Sequence, residues 1–170
     1  MPILVAGVGN VLKGDDGFGI QALAAFRRQK LADDVRCLET GIGGMHLVQE
    51  LMRGYDAVIL FDAVDRGEAP GRLTVLEPIL PALDDLSETE RRDYFSETHY
   101  ATPIRALTLA REVGALPPIV RIIGCQAADA DSFGLGMHPA VEAAIPEAVR
   151  MATVLVCALI MDVRKPVPAE

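Results

Sequence analysis

The 170-residue chain has no tryptophan, 5% aromatic residues, three cysteines and three histidines. Cys37, Cys125 and Cys157 are too few and too scattered for a disulfide framework or a zinc ribbon. Each stands among apolar neighbours, as small core residues do. Basic residues are in deficit: 16 Lys and Arg against 24 Asp and Glu leave a net charge of -8. Nucleic acids and anionic membranes are bound through cationic surfaces, so neither is expected as a partner. Long apolar runs are missing as well. Met151 to Met161, the longest, falls far short of the roughly 20 residues that cross a bilayer. The opening Met1-Pro2-Ile3-Leu4-Val5 lacks the basic and apolar regions of a signal peptide. A cytoplasmic protein without membrane insertion is the expectation.

What is present argues for a packed domain. A hydrophobic fraction of 51% beside 24% charged residues excludes a disordered chain, and the length suits one domain. Short β-prone runs at Ile3 to Val8, Val35 to Leu38, Ala57 to Phe61, Leu73 to Leu76 and Ile119 to Ile123 predict strands. Between them, helical spacing covers Phe18 to Lys30, Met45 to Met52 and Pro103 to Val113, with a short helix over Leu86 to Tyr94. A long final helix over His138 to Val163 carries Val141, Ala144, Ile145, Ala148, Val149, Ala152, Leu155 and Val156 as a core-facing stripe. Glu77 to Thr98 is otherwise irregular, the pattern of a functional loop. Strands alternating with helices predict a single three-layer α/β/α sandwich on a mostly parallel five-stranded sheet, with Leu73 to Leu76 as an antiparallel edge. The domain is expected over residues 1–163 and a frayed tail over 164–170.

In such sheets ligands bind beyond the carboxyl ends of the strands. Two acidic segments fall there. Gly7-Val8-Gly9-Asn10-Val11-Leu12-Lys13-Gly14-Asp15-Asp16-Gly17-Phe18-Gly19 follows the first strand, and Asp62-Ala63-Val64-Asp65 closes the third. The glycine loop is not a dinucleotide fingerprint: Leu12 stands where a small residue is required, and two carboxylates would repel a phosphate. Asp15 is expected to cap the following helix, which leaves Asp16 to point across the strand ends. Asp62 follows a continuous apolar run, so a cationic side chain or a metal is expected beside it. The third member of the site is sought among the histidines. His46 reads as a surface residue, His138 before Pro139 as a turn or cap, and His99 as a loop residue or a ligand. Two carboxylates and an imidazole would make an oxygen and nitrogen site with open positions for a divalent transition metal. Residue chemistry alone reaches a metal- or cation-binding pocket.

Set side by side, these segments resemble the endopeptidases that mature nickel–iron hydrogenases. The resemblance rests on five blocks in order. They are Gly7-Val8-Gly9-Asn10 with Asp15-Asp16-Gly17-Phe18-Gly19; Gly43-Gly44-Met45 with Leu47; Asp62-Ala63-Val64-Asp65 with Pro70-Gly71; Thr98-His99; and Gly124-Cys125-Gln126 with Phe133-Gly134-Leu135-Gly136. It implies an aspartic-type endopeptidase that removes a C-terminal extension from the hydrogenase large-subunit precursor. Asp16, Asp62 and His99 would be its catalytic and metal-binding residues. The metal would be nickel held by the precursor, not a resident cofactor. Two alternatives use the same residues: a hydrolase of another substrate with its own metal, and a non-catalytic factor that docks on the nickel site.

Overall fold

A computed structural model describes residues 1–83, 86–96 and 102–163. The apolar run Ile3–Val8 forms β1, every residue buried. A 3₁₀ turn over Gly14–Gly17 leads into α1, Phe18–Phe26. β2 is Val35–Gly41 and α2 Gly44–Leu51. β3 is Ala57–Val64, β4 is Leu73–Leu76 and α3 is Glu88–Ser96. α4, Pro103–Glu112, starts at the N-cap Thr102 with Pro103 at the position that needs no N–H donor. β5 is Ile119–Gln126 and α5 Pro139–Val163. The strand order is β2-β1-β3-β5-β4, parallel except for β4, which pairs antiparallel with β5 at the edge.

Alternation along each central strand divides the core. Ile3, Val5, Ala57, Ile59 and Phe61 pack with Phe18, Phe26 and the α5 stripe on one face. Leu4, Ala6, Val58 and Leu60 pack with Leu47, Leu51, Ala106 and Leu107 of α2 and α4 on the other. A side chain of this kind taken fully out of water contributes roughly 1.5–3 kcal/mol, so the two layers hold the sheet from both sides. Val141, Ala144, Ala148, Val149, Ala152 and Val156 of α5 are buried as expected.

Several expectations need correction. β3 does not close at Asp62; it continues to Val64, because Asp62, Ala63 and Val64 still pair with Gly124, Cys125 and Gln126 of an equally extended β5. Asp62 therefore projects from within a strand. Cys125 is buried and Cys37 half-buried, but Cys157 is exposed on the outer face of α5. That helix runs as expected, but judging its apolar length from Met151 to Met161 alone understated it. Pro139–Asp162 is long and apolar enough to cross a membrane by length and composition alone, with its buried stripe packed in the core. The expected tail over 164–170 lies outside the described residues.

The order reverses between β1 and β3: β2 lies on one side of β1, β3 on the other. Here the first turn of α1 sits directly on the strand ends. A Cβ at Gly19 would meet the carbonyl oxygens of Val8 and Phe61. Gly19→Ala is thus expected to lower stability by about 1–3 kcal/mol or more, the cost of overpacking a rigid contact. Urea unfolding checks this, and an unchanged midpoint would show that α1 has room to move.

Candidate active site

The reversal point opens into a cavity of ≈ 720 Å³ whose lining includes Asn10, Lys13, Asp16, Asp62, Asp65 and Arg66. Such crevices at a switch in strand order are where parallel sheets bind ligands. Its apolar walls come from Ile42, Val64, Leu76, Ile104 and Ile122, and the start of α4 closes one side through Thr102 and Pro103.

Asp15 and Asp16 are neighbours with opposite roles. Asp15 is 2% exposed. Its carboxylate accepts from the backbone N–H groups of Ala128 (2.7 Å), Asp129 (3.1 Å) and His138 (2.6 Å). Contrary to the expectation from sequence, it does not cap its own helix; it ties the β5–α5 loop to the β1–α1 loop. A buried carboxylate with three amide donors is satisfied and is not available for a ligand. Asp16 faces the cavity and takes one backbone bond, from the Asn10 N–H at 2.8 Å. Gly9, at φ +128°, is needed for this turn, since a Cβ there would strike the Asp16 carbonyl oxygen.

Asp62 reaches the same cavity from β3, on the side of α2 and α4. Burial is the first cause that pushes its carboxyl up to about 8; the charge of Asp16 is the second, opposed by the Ala63 N–H. Asp16 is also raised, mainly by burial, against the Asn10 N–H and Lys13. The cation expected beside Asp62 is not found among the described residues: Lys13 and Arg66 line the cavity but neither forms an ion pair there. Asp62 is instead accommodated by keeping its proton.

His99 lies outside the described residues. Three residues further on, Thr102 caps α4 and lines the cavity. His46 is exposed, as expected. His138 caps α5: its Nδ1 accepts from the Ala140 N–H at 3.2 Å. No cluster of three His, Cys, Asp or Glu side chains forms among the described residues. The described donors fit a divalent cation in kind, since two carboxyls share a half-dry pocket with no cation between them.

Gln126, read from sequence only as part of a family block, supports the site without lining the cavity. It is buried; its Nε2 donates to Asp65 Oδ1 (3.1 Å) and its Oε1 accepts from the Arg66 N–H (2.8 Å). It thus holds the loop that carries Arg66 to the cavity. A polar side chain closing the run Ile119–Gln126 was the available signal.

The division between the two aspartates is testable by unfolding. Asp15→Ala leaves three amides without their acceptor and is expected to cost about 2–4 kcal/mol, whereas Asp16→Ala leaves stability unchanged or higher. Equal losses in urea would refute the division. For Asp62, the folded protein holds a proton that the unfolded chain releases, so stability falls as pH rises from the ordinary 3.8 towards about 8 and is level above it. The melting temperature of metal-free Asp62→Asn should exceed wild type by a margin that widens between about pH 5 and pH 8. A constant margin would mean that the carboxyl ionises as in water.

Comparison with known proteins agrees with this fold. The family described as HycI, hydrogenase maturation protease, matches residues 20–154, which include Asp62 and His99 but not Asp16. The hydrogenase expression/formation protein HupD of Rhizobium leguminosarum bv. viciae is 34% identical over 151 residues, covering 88% of this chain and 71% of HupD. HoxM of Azotobacter vinelandii, also a hydrogenase expression/formation protein, is 33% identical over 151 residues, covering 88% of this chain and 70% of HoxM. The hydrogenase maturating endopeptidase HybD from E. coli superposes with a TM-score of 0.74 at 28% identity, covering 93% of each chain. With the doubly wound sheet and the acid-lined crevice, these matches establish that the chain belongs to the hydrogenase maturation protease family.

Proposed function

We propose that the chain is an aspartic-type endopeptidase that removes a C-terminal extension from the nickel-loaded large-subunit precursor of a nickel–iron hydrogenase. One observation carries this reading beyond family membership. Asp16 and Asp62, delivered by different elements, converge on one cavity with no cation from the described residues paired to them, and Asp62 keeps its proton to about 8. Such a pair is prepared for a positive ion that arrives with the substrate.

The two carboxylates, with His99 as the third donor, would take hold of nickel carried by the precursor. A metal at this point would supply Lewis acidity to the adjoining peptide. The chain's own residues do the rest. The apolar walls Ile42, Val64 and Ile104 hold the extended tail and exclude water. Hydrolysis requires one proton to leave water and one to reach the departing amide nitrogen. Nickel would displace the Asp62 proton to solvent on binding. A carboxylate oxygen of the pair left free by the ion would then take the proton from water and pass it to the departing nitrogen, so both transfers balance. A precursor without nickel lacks the ion that joins tail to site, so it would not be cut. The three cysteines are unpaired, which accords with action in the reducing cytoplasm.

The test is incubation with a nickel-loaded precursor, read by intact mass. Loss of a C-terminal peptide is expected from wild type. Nickel-free precursor should stay whole, and Asp16→Ala, Asp62→Ala and His99→Ala should each lower the rate by at least about 10²-fold. Binding without any mass loss would leave a docking factor. A stoichiometric metal in the isolated protein would instead favour a hydrolase with its own ion.

A further inference from the structure

The Phe133-Gly134-Leu135-Gly136 segment has no part in the acid pocket, yet the fold invests in holding it in place. Phe133 is 82% exposed and Leu135 86%. Their loop is fastened at three places. Asp15 accepts the N–H groups of Ala128, Asp129 and His138. Asp129 Oδ1 accepts from the Asp131 N–H (2.9 Å) and the Ser132 N–H (3.0 Å), turning the chain just before Phe133. The Gly14 N–H donates to the Gly134 carbonyl (2.9 Å), and the Gly134 N–H to the Leu12 carbonyl (3.0 Å), a short bridge that ties this loop to the β1–α1 loop.

The second loop brings apolar groups of its own. Leu12 is 56% exposed and Val11 beside it is also exposed. Two exposed apolar residues from each loop are therefore held beside one shared backbone bridge. The patch is continuous with the active site. Asn10, which donates to Asp16, precedes Val11, and Lys13, which lines the cavity, follows Leu12. The Lys13 ammonium lies 5.8 Å from the centre of the Phe133 ring, joining the pocket rim to the patch.

We propose that Val11, Leu12, Phe133 and Leu135 form a docking surface for the folded body of the protein substrate whose tail enters the acid pocket. This rests on the endopeptidase reading and names how that site selects its partner. A cavity of ≈ 720 Å³ takes a few residues of extended chain, so the remainder of a protein substrate has to rest outside it. The patch adjoins the cavity through Lys13. An exposed apolar cluster rimmed by polar groups is the form of a protein-binding surface. Asp131 stands beside it, and the chain carries a net charge of -8. An anionic bilayer is disfavoured by that charge, and Lys13 and Asp131 at the rim match an apolar substrate face bordered by charges of both signs.

Phe133→Ser/Leu135→Ser and, on the other loop, Leu12→Ser test the proposal with full-length nickel-loaded precursor. The side chains are exposed, so melting temperatures should match wild type. The double variant is expected to raise KM about tenfold and Leu12→Ser severalfold, with kcat within about twofold, the pattern of lost binding that is shared by ground and transition states. Direct binding to the precursor should weaken in parallel. Unchanged KM in both variants while wild type cleaves would overturn the docking surface and leave the endopeptidase reading intact. No cleavage by wild type would overturn both. A wild-type dimer that the double variant converts to monomer, with KM unchanged, would assign the patch to a second copy of the chain and also overturn the proposal.

Discussion

The contact between the first turn of α1 and the ends of β1 and β3 governs the geometry of everything around the cavity. Gly19 allows the helix backbone to lie on the Val8 and Phe61 carbonyls, and Gly7 on β1 accepts the same approach from beneath. With the helix that close, the intervening loop must turn back over the strand ends. That turn sends two consecutive aspartates in opposite directions. Asp15 goes inward to the amides of the β5–α5 loop, and Asp16 goes across the crevice towards Asp62. A bulkier residue at this contact would move the helix and the acid pair together.

The electrostatics follow from that placement. Two carboxyls in a half-dry pocket cannot both ionise cheaply, and Asp62, more deeply enclosed, is the one that retains its proton. Asp15 is buried as well, but three backbone N–H groups occupy its oxygens, so it behaves as a structural tie. The reach of the structure from that tie is long. It organises a loop more than a hundred residues away in sequence, and this loop carries exposed apolar side chains, of which Phe133 lies against Lys13 of the cavity lining. Site and surrounding surface are thus coupled through one carboxylate.

Much of this architecture could be read in advance. The alternation of β-prone runs with helical spacing specified the sandwich, and the antiparallel edge at Leu73–Leu76 was legible from its short length and its position after a turn-rich segment. Asp62 stood out because an acid after an apolar run demands an explanation, and Asp16 because it follows the first strand and was left over once Asp15 was assigned as a cap. What went astray depended on partners far away in the chain. β3 runs on past Asp62 because β5 also runs on and keeps pairing with it. Asp15 looked like a local cap because its three amides lie beyond residue 127. Cys157 sits in an apolar stretch, yet the helix turns it outward.

The sequence by itself determined the elements, their order, the family blocks and the identity of the acids, since these depend on local periodicity and residue chemistry. Only the tertiary structure decided which aspartate is structural and which faces the crevice, which carboxyl holds a proton, and which apolar side chains stay in water. Hydrogen-bond partners, desolvation and exposure are properties of atoms brought together from distant parts of the chain. No window along the sequence contains them.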